Sequence, residues 1–153
     1  MRQKHIPVLA IVALLFATAL SSPDARAQCC KSFVRTNCIP QLSPYIHDGN
    51  YQAAIMSEGE EAEVYKPILA GQRYRLLICV DDALPNVEFT VSDNRRAILF
   101  DNRKNGNVKM WDFKADASQQ IKITVKIPKS QKQENGGKES IFGCVAVIFG
   151  LLE

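Results

Sequence analysis

The chain has 153 residues, with 19 basic side chains, 16 acidic side chains and a formal net charge of +3. This length is typical of one domain with a substantial hydrophobic core. The small net charge gives no support for binding of nucleic acid or of an anionic membrane surface.

Residues 1–27 have the pattern of a secretory signal peptide. Arg2 and Lys4 precede an apolar run over residues 6–20, and residues 25–27 form a small-x-small cleavage site. The run is shorter than the roughly 20 residues that span a bilayer. The pattern predicts cleavage after Ala27 and a bacterial protein that is periplasmic or secreted, with no membrane span. Removing 27 of the 153 residues leaves a mature chain of 126, with a charge close to neutral.

All five cysteines follow the predicted cleavage site. They are Cys29, Cys30, Cys38, Cys79 and Cys144. In an exported chain this odd number indicates two disulfides and one remaining thiol. Adjacent cysteines bridge each other only through a strained ring, so we expect Cys38 to pair with Cys30 or Cys29, and Cys79 to pair with Cys144. The remaining thiol then belongs to Cys29 or Cys30, where it could stay free, be capped or link two chains.

The first part of the mature chain differs in pattern from the rest. Residues 28–50 contain Pro40, Pro44 and Gly49 among polar residues, which predicts an irregular, cysteine-rich segment laid over the domain. From residue 51 onward, β patterns follow one another at short intervals. We therefore divide the chain into a signal peptide (1–27), an irregular N-terminal segment (28–50) and a β-sandwich domain (51–153).

The β patterns predict strands at 51–56, 62–69, 73–80, 87–91, 97–100, 108–113, 121–127 and 141–152. The stretch 121–127 alternates branched apolar residues with polar ones, and 73–80 becomes continuously apolar at its end, as a central strand does. The run 129–140 is almost wholly polar and predicts a solvated loop. About eight strands separated by turn residues favour an all-β fold, an antiparallel β-sandwich of the jelly-roll-like or immunoglobulin-like kind.

Several stretches of the chain resemble two kinds of exported β-sandwich. The small-Gly-Gln turn at residues 70–72 and the strand at 87–91 followed by Asp93 resemble the pre-peptidase C-terminal type of secreted domain. The stretch 43–49, Trp111-Asp112-Phe113 and Gly143-Cys144-Val145 resemble a family of small exported bacterial β-sandwich proteins. The resemblance covers most of the mature chain. It implies the fold and export, and it brings no activity with it.

Catalytic and metal sites find little support in the sequence. His47 is the only histidine after the predicted cleavage site, and no motif places a nucleophile beside it. Cys29 and Cys30 are too close in sequence to be zinc ligands together with Cys38, and the oxidising compartment favours disulfides. We therefore predict no catalytic residue, no metal ligand and no cofactor. Ca²⁺ held by loop carboxylates is an alternative, although no calcium-loop spacing is present.

Aromatic side chains and loop carboxylates are the candidates for ligand binding. They are Tyr45, Tyr51, Trp111, Asp81 and Asp82. Aromatic rings can stack on sugars, but Trp111 shares its strand face with Phe113, which favours packing in the core. The sequence as a whole favours a non-enzymatic binding or envelope-associated module for a glycan, peptide or protein partner. Two alternatives remain: a secreted hydrolase that uses loop carboxylates such as Asp81 and Asp82, and a structural protein linked by disulfides.

Overall fold

The structure is a computed structural model that describes residues 30–84, 86–129 and 141–152. The predicted signal peptide, its cleavage site, Cys29 and almost all of the predicted polar loop lie outside these ranges. Within the described residues, no helix is long and apolar enough to cross a membrane.

In these ranges, eight strands form two four-stranded antiparallel sheets, which confirms the predicted all-β sandwich. The strands are β1 (Ile46–Ser57), β2 (Glu61–Ile68), β3 (Arg73–Val80), β4 (Glu88–Ser92), β5 (Ile98–Asp101), β6 (Met110–Lys114), β7 (Gln119–Lys126) and β8 (Phe142–Leu152). Sheet 1 has the order β1-β8-β3-β6, and sheet 2 has the order β2-β7-β4-β5. The first strand thus pairs with the last, the second with the seventh, the third with the sixth and the fourth with the fifth.

The core lies between the two sheets because each strand turns alternate side chains inward. Ile121, Ile123 and Val125 of β7 are almost completely buried, as their alternation with polar residues predicts. Leu76 and Ile78 of β3 meet them from sheet 1. Burial of this branched and aromatic surface is the main force that holds the sheets together.

The N-terminal segment is helical where the sequence predicts an irregular path. Residues 30–33 are α-helical, Val34–Cys38 form a π-helical turn and Ile39–Leu42 form a 3-10 turn. The segment buries three apolar side chains against Leu77 and Ile148 on the outer face of sheet 1. It therefore covers that face with a small second core.

β1 also begins earlier than expected, at Ile46, because a register shift after His47 lets the strand pass through Gly49 in a left-handed conformation (φ +88°).

Two disulfides fasten this segment, and their pairing corrects the one expected from the sequence. The bonds are Cys30–Cys144 and Cys38–Cys79, with Cα atoms 5.5 and 5.8 Å apart. Cys79 lies opposite Ala146 on β8, so Cys144 is a diagonal neighbour. Diagonal positions are about 7–8 Å apart, too far for a disulfide. Cys30 and Cys38 are separated by about 12 Å of helical rise, so they cannot pair either.

Candidate functional site

Tyr45 belongs to a joint between the N-terminal segment and sheet 1. Its ring lies 4.3 Å from the guanidinium carbon of Arg75. Arg75 donates two hydrogen bonds to Asp112, of 2.7 and 2.6 Å, and two more to the carbonyl oxygens of Leu42 and Ser43, of 3.2 and 2.8 Å. The bond to Arg75 lowers the pKa of Asp112, and the same contact raises the pKa of Arg75. This geometry gives Tyr45 a structural contact, and its binding of a ligand stays a prediction.

Tyr51 is partly buried on β1, beside the seam between the edge strands β1 and β2. Its ring lies 6.2 Å from that of His47. Asp48 of β1 and Lys66 of β2 form an ion pair across this seam, and the Lys66 ammonium lies 5.2 Å from the centre of the Phe149 ring. An ionic contact between the sheets thus closes this side of the sandwich.

Asp81 and Asp82 lie in the turn that follows β3. The Asp81 carboxylate accepts a hydrogen bond of 2.9 Å from the backbone N–H of Ala83, and the Asp81 carbonyl accepts one of 3.0 Å from Leu84. These are the contacts with which an aspartate stabilises its own turn. Across the described ranges, histidine, cysteine, aspartate and glutamate side chains form no cluster of three or more that could hold a metal ion. A ligand-binding or hydrolytic role of Asp81 and Asp82 stays a prediction.

Trp111 lies in an aromatic stack that closes the opposite side of the sandwich, between the edge strands β5 and β6. Its ring centre is 4.9 Å from that of Phe100 on β5 and 4.1 Å from that of Phe113 on β6, with interplanar angles of 21° and 15°. Phe89 and Tyr74 extend the stack into the core, each at 5.4 Å from its neighbour. Trp111 is therefore both a packing residue and a partly exposed one, because its strand is at the edge of sheet 1.

Two exposed aliphatic side chains stand on the strand beside this stack. Ile98 is 60% exposed and Leu99 is 42% exposed. We call the neighbouring edges of β5 and β6, with Ile98, Leu99, Phe100, Trp111 and Phe113, the Trp111 seam. Large apolar side chains that are exposed next to one another mark surfaces for interaction more often than single ones do.

The Trp111 seam has a basic rim. The stretch 98–114 contains four basic residues, all exposed, which are Arg103, Lys104, Lys109 and Lys114. Its two acidic residues are Asp101 and Asp112. The Arg103 side chain bonds Asp101 at 2.8 Å and lowers its pKa, while Asp112 is engaged by Arg75 from β3. The rim therefore keeps an excess of positive charge.

Asn102 is a buried polar residue that sequence reasoning missed. Its side-chain oxygen accepts a hydrogen bond of 2.8 Å from the backbone N–H of Phe89, and its amide donates one of 3.0 Å to the carbonyl of Val87. It thereby holds the loop after β5 against β4 and positions the basic rim. The triplet Asp-Asn-Arg occurs twice in the sequence, and nothing in it distinguishes the buried Asn102 from the exposed Asn94.

No protein-family model and no curated protein matches the chain. Among solved structures, the chain is similar to PliG of Aeromonas hydrophila, a periplasmic lysozyme inhibitor of g-type lysozyme, with a TM-score of 0.48 and 14% identity over 67% of this chain and 85% of that one. PliG of Salmonella Typhimurium, also a periplasmic inhibitor of g-type lysozyme, gives a TM-score of 0.41 and 10% identity over 67% and 86%. At these TM-scores neither match bears on the function of this chain. The resemblance to pre-peptidase C-terminal domains stays a prediction.

Proposed function

We propose that this protein is an exported, non-enzymatic binding module that holds an acidic protein partner at the Trp111 seam. The observation that carries the proposal is the exposure of Ile98 and Leu99 on β5, the edge strand whose Phe100 ring stacks on the partly exposed Trp111. Export is supported by the signal-peptide pattern and by two disulfides, which form in oxidising compartments. The strand pairing, first with last and fourth with fifth, supports a jelly-roll topology for the module.

A protein fits this surface better than a sugar does. Ile98 and Leu99 offer apolar area and no hydrogen-bonding group, and burial of one such side chain contributes about 1.5–3 kcal/mol. Aromatic and branched side chains at the centre, with charged side chains around them, are the arrangement found in protein interfaces.

The charge of the rim selects the kind of protein. Lys104 and Lys109 would attract acidic side chains and speed the encounter with them. A second copy of this chain is disfavoured, because a two-fold contact would bring the same basic rim against itself. The partner we expect therefore has an apolar anchor surrounded by aspartate or glutamate.

The proposal is tested by measuring dissociation constants with purified proteins. Exported proteins retained by the immobilised wild type are identified, purified and titrated by calorimetry. We expect Ile98→Ser to weaken binding about tenfold or more, since an apolar anchor is lost. Lys104→Glu should also weaken binding, and the loss of affinity should be larger at low salt than at high salt because salt screens the charge.

Ile46→Ser is the matched control. Ile46 is 61% exposed near the start of an edge strand, as Ile98 is at 60%, but it lies on β1. Ile46→Ser should bind like the wild type. Equal binding by the wild type, Ile98→Ser and Ile46→Ser would contradict the proposal, and so would the absence of any purified protein that binds.

A further inference from the structure

A second surface, separate from the Trp111 seam, lies on the outer face of sheet 2. A shallow depression of about 440 Å³ opens there, and side chains from β2, β7 and the β4–β5 turn line it. The lining includes Tyr65, Asp93, Asn94, Arg96, Gln120 and Lys122. The volume is within the range of small-molecule sites, about 300–1,000 Å³.

Glu63 fixes two of these side chains. One of its carboxylate oxygens accepts a hydrogen bond of 2.7 Å from the Lys122 ammonium, and the other accepts one of 3.0 Å from the Tyr65 hydroxyl. The bond to Glu63 raises the pKa of Lys122, and the bond from Lys122 lowers the pKa of Glu63. The Tyr65 side chain is therefore held at its hydroxyl although the residue is 56% exposed.

The β4–β5 turn presents Arg96 from the other side of the depression. Asp93 shapes this turn, because its carboxylate accepts hydrogen bonds of 2.8 Å from the backbone N–H groups of both Arg95 and Ala97. Arg96 itself has a left-handed backbone (φ +68°), and its N–H bonds the Asp93 carbonyl at 3.0 Å. The positive charge of Arg96 lowers the pKa of Lys122, against the larger effect of Glu63. The two cationic side chains are therefore close enough to repel each other across the depression.

We propose that this depression binds an acidic sugar residue, with its ring on Tyr65 and its carboxylate between Arg96 and Lys122. An exposed tyrosine ring offers a flat apolar face to the C–H groups of a sugar, while the amides of Asn94 and Gln120 offer donors and acceptors to hydroxyls. Glu63 and Asp93 are the carboxylates nearby, and each already accepts two hydrogen bonds. Lys122 already pairs with Glu63, whereas Arg96 has no carboxylate partner among the described residues. The Arg96 guanidinium is therefore the group that would first attract an anionic ligand, with Lys122 beside it.

The test is a titration of the mature protein with a galacturonic acid trisaccharide, followed by NMR or calorimetry. The neutral galactose trisaccharide, a glutamate tripeptide and acetate serve as comparison ligands. We expect the acidic sugar to bind at least about tenfold more tightly than each of the three, with a dissociation constant below about 10 mM. Lys122→Gln and Arg96→Gln should each weaken its binding about tenfold, and Tyr65→Ser should do the same.

Lys126→Gln is the matched control, because Lys126 points to the same face from the same strand but lies outside the depression, between Glu61 and Glu88. It should leave the affinity within about twofold of the wild type. Equal binding of the neutral sugar or the tripeptide, no binding at about 10 mM, or equal effects of Lys122→Gln and Lys126→Gln would overturn the proposal. Lys104→Glu, a variant of the basic rim at the other end of β5, should leave sugar binding within about twofold of the wild type, which separates this site from the Trp111 seam.

Discussion

The disulfide Cys38–Cys79 should contribute a large part of the stability of this fold. It joins the helical N-terminal segment to β3 across a sequence separation of 41 residues. In the chain-entropy model, closing a loop of this length stabilises the folded state by about 4 kcal/mol, and the separation of 114 residues at Cys30–Cys144 corresponds to about 5 kcal/mol. Cys38→Ala with Cys79→Ala should therefore lower the free energy of unfolding by about 4 kcal/mol, measured by urea denaturation.

The same double variant distinguishes the observed pairing from the one expected from the sequence. With the pairing Cys30–Cys144 and Cys38–Cys79, the variant keeps one intact disulfide, so its count of reactive thiols equals that of the wild type. If Cys79 instead paired with Cys144, the variant would leave two cysteines without their partners and the count would rise by two. Such a rise, or a disulfide-linked peptide that contains Cys79 and Cys144, would refute the reasoning.

Three further predictions concern single positions. Asn102→Ala should lower the free energy of unfolding by about 3 kcal/mol, because a buried N–H and a buried carbonyl lose their partners. The control Asn94→Ala should change it by less than about 0.5 kcal/mol. Equal effects of the two variants in urea denaturation would contradict this prediction. The folded-state pKa of Asp112 is lowered, so its contribution is complete above the usual aspartate pKa and is lost as pH falls below about 4. The difference in stability between the wild type and Asp112→Asn should therefore shrink from about pH 6 to about pH 2.5, and a constant difference would count against it. Trp111 is the only tryptophan, so Phe100→Ala should shift its fluorescence towards that of a more exposed indole, and an unchanged spectrum would show that the stack does not shield it.

Much of the sandwich could be predicted from the chain because strand periodicity is a local property. The stretch 73–80 forms β3 with the predicted bounds, and 121–127 differs from β7 by two residues at the start and one at the end. The predicted strand 97–100 corresponds to β5, which pairs with β4, the strand before it in sequence. Alternation of apolar and polar side chains decides which face of a strand is buried, and burial of that face gives a sheet its main stability.

The candidate sites depend on contacts between residues that are far apart in sequence, and local sequence patterns do not predict such contacts. Tyr45 and Tyr51, which the sequence offers as ligand-binding candidates, are partly buried. Tyr65 and Ile98 carry the two proposals, and no sequence pattern distinguishes them. A residue's exposure at a sheet edge depends on which strand is its neighbour, and the strand order follows from pairings between distant segments. Helical structure near Cys30 is likewise supported by a long-range surface, the outer face of sheet 1.

By itself, the sequence determined the fold class, the strands and the number of cysteines available after the predicted cleavage. Those properties follow from side-chain period and composition, which can be counted along the chain. Only the tertiary structure decided the disulfide partners, the covered and the open sheet faces, and the placement of Trp111 at a seam. These depend on strand order and register, because a shift of one position on a strand moves a side chain to the other face and changes every neighbour it meets.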